Sequence, residues 1–439
     1  MKKLCVVSCP IATRSGYGAR SRDLVRSLIQ TKGEEWDIKI LPQRWGNTPQ
    51  NALTTEDVDL TSRLISGNIN QKPDVWMQIT IPSEFQPVGH FNIGVSAVIE
   101  TTDASAEFID GCNRMDLTLV SSEHSKKTLE VVYDKINEKT KEKVGQTSLT
   151  KPVEVLFEGF DPKIYDNKSE VHQSVNDVLS NVKESFTYLF VGHWLQGNIG
   201  HDRKNVSGLI HTFLNTFKNK KNPPALILKT SITAPGITNV HELRKRIEMI
   251  KGMIDSKILP NIYILDGDLS DEEMNSLYNH PKVKAHVSFT RGEGFGRPLL
   301  EACVSGKPII TSNWSGHVDF LHSDYNFLVG GELQNVDKSA ANNWIRKESK
   351  WFTINYNDAA HTLKTIYDNY KKAVEKSRKN RKYVKDNFTL DNMSSKLSEI
   401  LDIYKVGDGP QQVGLTLPTL KKKDTPTELK LPKLKKVGE

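Results

Sequence analysis

Short apolar runs alternate with longer amphipathic stretches along nearly the whole chain. In the first half the runs are LCVVSC, DIKILP, DVWMQITI, FNIGVSAV, DLTLVS and VEVLF. In the second half they are FTYLFVG, ALILKT, NIYILD, KAHVSF, KPIITS and NFLVG. Near-continuous apolar strands separated by helices predict parallel sheets covered on both faces. Two such series predict an α/β protein of two doubly wound, Rossmann-like domains facing across a cleft. The expected boundaries are 1–168 for the first domain, 169–185 for a polar linker of weak helical character, and 186–387 for the second domain. A helix at 388–406 is placed to pack back on the first domain. Leu363, Ile366, Tyr367 and Tyr370 fall on one face at helical spacing.

Beyond 406 the pattern stops. Residues 407–439 are rich in Pro, Lys, Thr and Leu and predict a disordered or extended basic tail. Within it LTLPTLKK is echoed by LKLPKLKK, both following L-x-L-P-x-L-K-K. Two leucine-rich, lysine-flanked copies suit a tandem docking peptide for a protein partner.

Charge changes the picture in one respect. The chain carries a net +7, yet residues 371–385 alone hold six lysines, two arginines and one glutamate. The tail from 408 adds a net +3, which leaves the remainder at −3. The folded body is therefore not broadly basic, which weakens any whole-protein argument for nucleic acid. No apolar run is long enough for a transmembrane helix. The opening MKKLCVVSCP has the charge of a secretion signal but reads better as a buried first strand. Cys5, Cys9, Cys112 and Cys303 form no CxxC pair and read as reduced thiols of a cytoplasmic protein. The scattered histidines predict no metal site.

The chemistry concentrates in TRGEGFGRPLLEACVSGKPIITSN, residues 290–313. Gly292, Gly294 and Gly296 follow the run KAHVSF. Pro298 suits the first turn of a helix, and Gly306 suits its end. The glycines thus sit at the carboxyl end of a parallel strand, where open α/β sheets bind ligands, and at a helix N-terminus, which favours phosphate. Glu293 and Glu301 flank that site. A carboxylate is acceptor-only and matches vicinal hydroxyls. Hydroxyls on either side of a phosphate describe a nucleotide sugar.

EGFGRPLLEA, with Glu293 and Glu301 eight positions apart, resembles the signature of the retaining group 1 (family 4) glycosyltransferases of the GT-B fold. NIYILDGDLSDEEMNSLYNHPKVKAHVSF is similar to the segment preceding that signature. YLFVGHWLQGNIGHDRKNVSGLIHTF is similar to the family's first strand, loop and helix of the second domain. VEVLFEGFDPKIY and SGYGARSRDLVRSL are similar to its exit from the first domain and to its first glycine loop.

The resemblance implies that Glu301 binds the donor ribose and Glu293 the transferred sugar. Gly294, Phe295, Gly296 and Arg297 would line the sugar and phosphate site. Lys204 matches the family's diphosphate-binding lysine. The usual arginine after Val-Gly is replaced by His193, so Arg203 is expected to take its part. Asp268 and Leu269 stand where the base is contacted, and Lys229 ends a strand at the same edge. Gly16 and Gly18 would form a loop facing the donor diphosphate or the acceptor.

Many relatives place a histidine after the fourth strand. This chain offers Glu100 there, a candidate for holding the sugar or orienting the acceptor. His90 and His124 read as ordinary polar residues. The implied donor is a nucleotide-diphosphate sugar with no separate cofactor or metal. The acceptor is left open among glycan, lipid, protein and nucleic acid. An epimerase or phosphorylase of the same fold, and a sugar-nucleotide binder without turnover, are the competing functions.

Overall fold

The computed structural model describes residues 2–408 except 47, 68, 138, 233 and 234. The tandem L-x-L-P-x-L-K-K stretch lies outside the described residues.

The first domain is built on strands β1 (Lys3–Cys9), β2 (Trp36–Pro42), β3 (Val75–Ile79), β4 (Phe91–Ser96) and β5 (Leu117–Val120). After them comes an antiparallel hairpin, β6 (Tyr133–Ile136) with β7 (Lys143–Thr147), and then β8 (Val153–Val155). The sheet order is β2-β1-β3-β4-β5-β8, all parallel. Its middle strands are buried along their length, β3 at every residue, because helices cover both faces. That is why they read as unbroken apolar runs.

The second domain uses β9 (Thr187–Val191), β10 (Ala225–Lys229), β11 (Ile262–Leu265), β12 (Val283–Ser288), β13 (Ile309–Ser312) and β14 (Phe327–Val329). The order is β11-β10-β9-β12-β13-β14, again all parallel. The order reverses between β9 and β12, so a crevice opens beyond their carboxyl ends. The loops leaving those two strands carry His193, Arg203 and Lys204 on one side and residues 290–296 on the other.

Two segments depart from a plain doubly wound plan. Residues 169–185 contain a helix, Gln173–Ser180, whose Val175 and Leu179 are buried in the second-domain core. After β14 an antiparallel hairpin, β15 (Gly331–Asn335) and β16 (Lys350–Ile354), is anchored in the second-domain core by Phe352 and Ile354 and touches the first domain. There Thr102 N donates to Lys350 O at 2.8 Å, Lys350 N donates to Thr102 Oγ1 at 3.0 Å, and Arg346 Nη1 donates to Tyr133 Oη at 2.6 Å.

The chain then forms helices Tyr356–Asp368 and Tyr370–Asn387, separated at Asn369. It crosses back at the hinge, where Phe160 N donates to Phe388 O at 3.1 Å and Leu390 N to Phe160 O at 2.8 Å. The helix Leu390–Ile403 seats Met393, Leu397, Ile400 and Leu401 in the first-domain core. Burying each such side chain contributes about 1.5–3 kcal/mol, so this helix is integral to the first domain. All four cysteines are free and buried. No helix among the described residues is long and apolar enough to cross a membrane.

Candidate active site

The glycine segment folds as a left-handed turn into a helix. Gly296, at φ +96°, is the N-cap of the helix Arg297–Val304, with Pro298 in its first turn. Gly306, at φ +72°, lies just beyond the helix C-cap Ser305. Only glycine adopts such φ values without strain. The backbone amides of Gly294, Phe295 and Gly296 donate to no group among the described residues. Free amides and a helix N-terminus together form a ready anion site.

The opposite wall comes from the loop after β9. Asp202 accepts from Val206 N and Ser207 Oγ, each at 3.0 Å. Asn205, at φ +51°, then turns the chain into the helix Val206–Phe217. This turn aims the two preceding side chains into the crevice. Lys204 Nζ stands 2.6 Å from Glu293 Oε1 and 2.7 Å from Oε2. Arg203 Nη1 lies 2.9 Å from Gly292 O, 3.1 Å from Glu100 Oε1 and 3.8 Å from Glu293 Oε2. Glu100, Arg203, Glu293 and Lys204 thus form one alternating charge cluster, with Glu100 contributed by the other domain.

Burial alone would raise the Glu293 carboxyl, but Lys204 and Arg203 overcome it and hold it down at about 2. Lys204 is itself pushed down by burial, which outweighs the pull of Glu293. Glu301 behaves differently. Burial lifts it to about 7, against the opposing effect of Arg297. Arg297 Nε donates to Glu301 Oε1 at 2.8 Å, and Tyr278 Oη donates to Glu301 Oε2 at 3.1 Å. The other end of Arg297 pairs with Asp23 on the first-domain helix Gly16–Lys32.

The domains are closed on one another here. Ser122 Oγ and Ser125 Oγ of the first domain donate to Gly294 O at 2.6 and 3.2 Å. A Cβ at Gly292 would lie 2.0 Å from Glu100 O, and one at Gly294 would lie 2.7 Å from Ala97 Cβ. These two glycines are therefore required by the approach of the other domain. His317, fully buried, places Nε2 2.7 Å from Ser312 O while its Nδ1 has no partner. His124 Nε2, from the facing domain, is likewise buried and unpartnered.

The remaining expected residues are more spread out. His193 Nδ1 lies 2.8 Å from Ser231 Oγ, and burial lowers its basicity. Lys229 ends β10 and is lowered by burial, with Asp268 and Asp266 opposing. Leu269 O accepts from Arg14 Nη1 at 3.5 Å across the cleft. Gly16 and Gly18 do not form the expected loop. They open the helix Gly16–Lys32 behind the N-cap Ser15, whose side chain accepts from Gly18 N. Tyr17 between them turns to β4, with Oη 3.0 Å from Ser96 Oγ. Asp23, Tyr278, Ser122 and His317 have no signal in the sequence that separates them from other polar positions.

A large cavity, about 800 Å³, lies away from this cluster, beside the β15–β16 hairpin. The guanidinium of its buried Arg291 is already committed to Gly200 O and Thr353 Oγ1. The paired charges and free amides converge at the glycine loop, not in that cavity.

Residues 201–347 match the family model described as glycosyl transferases group 1. No curated protein sequence is significantly similar to the chain. Among solved structures, Anabaena Alr3699/HepE in complex with UDP and glucose is similar at TM-score 0.56 and 13% identity, over 91% of this chain and 100% of that one. Sucrose-phosphate synthase from Thermosynechococcus elongatus is similar at TM-score 0.59 and 11% identity, over 92% and 99%. A glycosyltransferase from Rickettsia africae is similar at TM-score 0.57 and 14% identity, over 92% and 98%. At these identities the likeness establishes the fold: two Rossmann-like domains in the GT-B arrangement.

Proposed function

We propose that the protein is a group 1, family 4 glycosyltransferase. It moves a sugar from a nucleotide-diphosphate donor to an acceptor hydroxyl with retention of anomeric configuration. One observation carries this reading. Glu293 and Glu301 bracket three free amides at a helix N-terminus, and Lys204 and Arg203 face the same point. The match of residues 201–347 to the family model and the complex of a similar fold with UDP and glucose support it.

In this reading Glu301 accepts from the ribose hydroxyls and Glu293 from the hydroxyls of the transferred sugar. The diphosphate lies between them on the amides of Gly294–Gly296. As the bond from the anomeric carbon to the phosphate oxygen breaks, the departing diphosphate gains charge. Lys204, Arg203 and the helix N-terminus stabilise that charge, a contribution that is usually the largest in such sites. The acceptor hydroxyl bonds to the anomeric carbon on the same face, and its proton passes to the leaving phosphate oxygen. No protein nucleophile is needed, which separates this site from the paired carboxylates of glycoside hydrolases. Glu100 stands at the acceptor side, tied to Arg203. Lys204 exchanges Glu293 for phosphate when donor binds.

The test begins with thermal-shift screening of nucleotide sugars, followed by hydrolysis and transfer assays with anomeric analysis of the product by NMR. Retained configuration and loss of nucleotide binding in Glu301→Ala are expected. An inverted product rejects the retaining reading; undiminished nucleotide affinity in Glu301→Ala rejects the ribose role.

A further inference from the structure

The helix Tyr370–Asn387 has no part in the transfer reading, yet its surface is dense in unpaired cations. Its Ala373, Ser377, Asn380 and Val384 face inward, and Asn380 Nδ2 lies 3.2 Å from Cys303 Sγ on the helix that follows the glycine loop. Lys371, Lys372, Arg378, Lys379, Lys382 and Lys385 are exposed on the other side. At 3.6 residues per turn these six cations fall within an arc of about 140°. Glu375 and Asp386 share that arc, and Asp324 faces Lys376 from a neighbouring loop.

On several other helices surface charges are matched locally. Arg246 pairs with Glu242, Lys251 with Glu248, Lys364 with Asp368, and Lys396 with Glu399. Among the described residues, none of the eight lysines and arginines of Tyr370–Asn387 makes an ion pair closer than 4.0 Å; the six exposed ones make no side-chain hydrogen bond either. Like charges also stand four apart at Lys372/Lys376, Arg378/Lys382 and Arg381/Lys385. Each such pair destabilises a helix by about 0.2–0.5 kcal/mol. An external polyanion would relieve that repulsion.

We propose that this helix is a docking surface for the phosphate backbone of a nucleic-acid duplex. Its 18 residues span about 27 Å at 1.5 Å per residue, a length that meets several phosphates along one strand. A bilayer is the poorer fit, because Tyr383 is the one large apolar side chain exposed on this helix, leaving nothing to insert. The helix ends at the hinge, where Phe388 meets Phe160. A duplex lying along it is therefore led toward the two-domain junction. The surface goes beyond the transferase reading and is tested without any donor, so failure of one does not decide the other.

The experiment is fluorescence anisotropy of a labelled 20-base-pair DNA duplex with the full chain, titrated across salt concentration. It is repeated with K371Q/K372Q/R378Q/K379Q/K382Q/K385Q in the full chain, whose intact fold is checked by its melting temperature. Binding should weaken linearly in log–log form, and every phosphate that the variant no longer neutralises should flatten the slope by about 0.9. An affinity decrease of at least about tenfold at 0.1 M salt is expected when several phosphates go unneutralised. An unchanged slope in the variant overturns the proposal, as does the absence of wild-type binding at 50 mM salt. Phosphatidylserine vesicles are the comparison probe; tighter, helix-dependent binding to them than to duplex also overturns it.

Discussion

Lys204 Nζ touches both carboxylate oxygens of Glu293, at 2.6 and 2.7 Å, with both side chains largely buried. The two residues lie 89 positions apart and come from loops on either side of the sheet's reversal point. The cleft thus neutralises its own charge. In the transferase reading, a diphosphate bound there takes over Lys204 from Glu293.

Lys204→Ala should lower turnover by roughly 10²–10³, the scale for removing one charge-stabilising group. Single-turnover kinetics with saturating donor reads this directly. Because the substitution also leaves Glu293 buried without its cation, the carboxyl should rise from about 2. Near-wild-type chemistry in this variant would remove Lys204 from the reaction.

Nucleotide affinity should increase with pH across neutrality. The Glu301 carboxyl is lifted to about 7 by burial, and only its ionised form accepts from both ribose hydroxyls. The ionised fraction rises about tenfold between pH 6 and 8 for a group titrating at 7, and affinity should follow by a similar factor. Calorimetry at both pH values checks the trend. Glu301→Gln should abolish the pH dependence; its persistence there would assign the titration to another group.

Asp23→Asn should loosen domain closure. The Arg297–Asp23 pair crosses the cleft, and both side chains are mostly buried. A decrease of roughly 10–10² in transfer rate is expected, the scale for a misplaced reacting geometry. The ratio of donor hydrolysis to transfer should increase as water gains access. Small-angle scattering should show a larger radius of gyration, and an unchanged radius with unchanged hydrolysis would show that closure is held elsewhere.

Two glycines should respond in opposite ways. At Gly292 a Cβ would meet the Glu100 carbonyl at 2.0 Å, whereas nothing lies within 4 Å of one at Gly16. Gly292→Ala should cost about 1–3 kcal/mol through overpacking at the domain interface and should impair transfer. Gly16→Ala, in the first turn of a helix, should be neutral or stabilising by up to about 1 kcal/mol. Thermal melts of the pair decide; equal shifts would mean that the interface gives way freely.

The twelve strands of the two large sheets left a trace in the sequence because burial turns a strand into an apolar run, unbroken where both faces are covered as in β3. Three strands of the two hairpins did not. YDKI and KVGQT are mostly exposed, and GELQN is exposed throughout, so neither apolar continuity nor strict alternation marks them. In the stretch 169–185, Val175 and Leu179 stand four apart and mark the helix that the polar composition obscures.

The glycine loop was legible for a local reason: its turn, cap and acids are consecutive. Arg297 and Glu301 are likewise one helical turn apart, and their pairing follows from spacing. Asp23 and Tyr278 depend on how distant elements meet, and a single sequence carries no mark of that meeting. The same holds for the unpartnered nitrogens of His124 and His317, which only the closed arrangement brings into view.

The helix Leu390–Ile403 completes the first domain, although β8 ends at Val155. Some 248 residues separate the last strand of that sheet from the end of the helix that covers it. At about 5–20 residues per second, a ribosome needs roughly 12–50 s to make them. For that interval the nascent first domain lacks the Met393, Leu397, Ile400 and Leu401 part of its core. The second domain is synthesised entirely within the wait, so the part of the chain made first is the last to be finished.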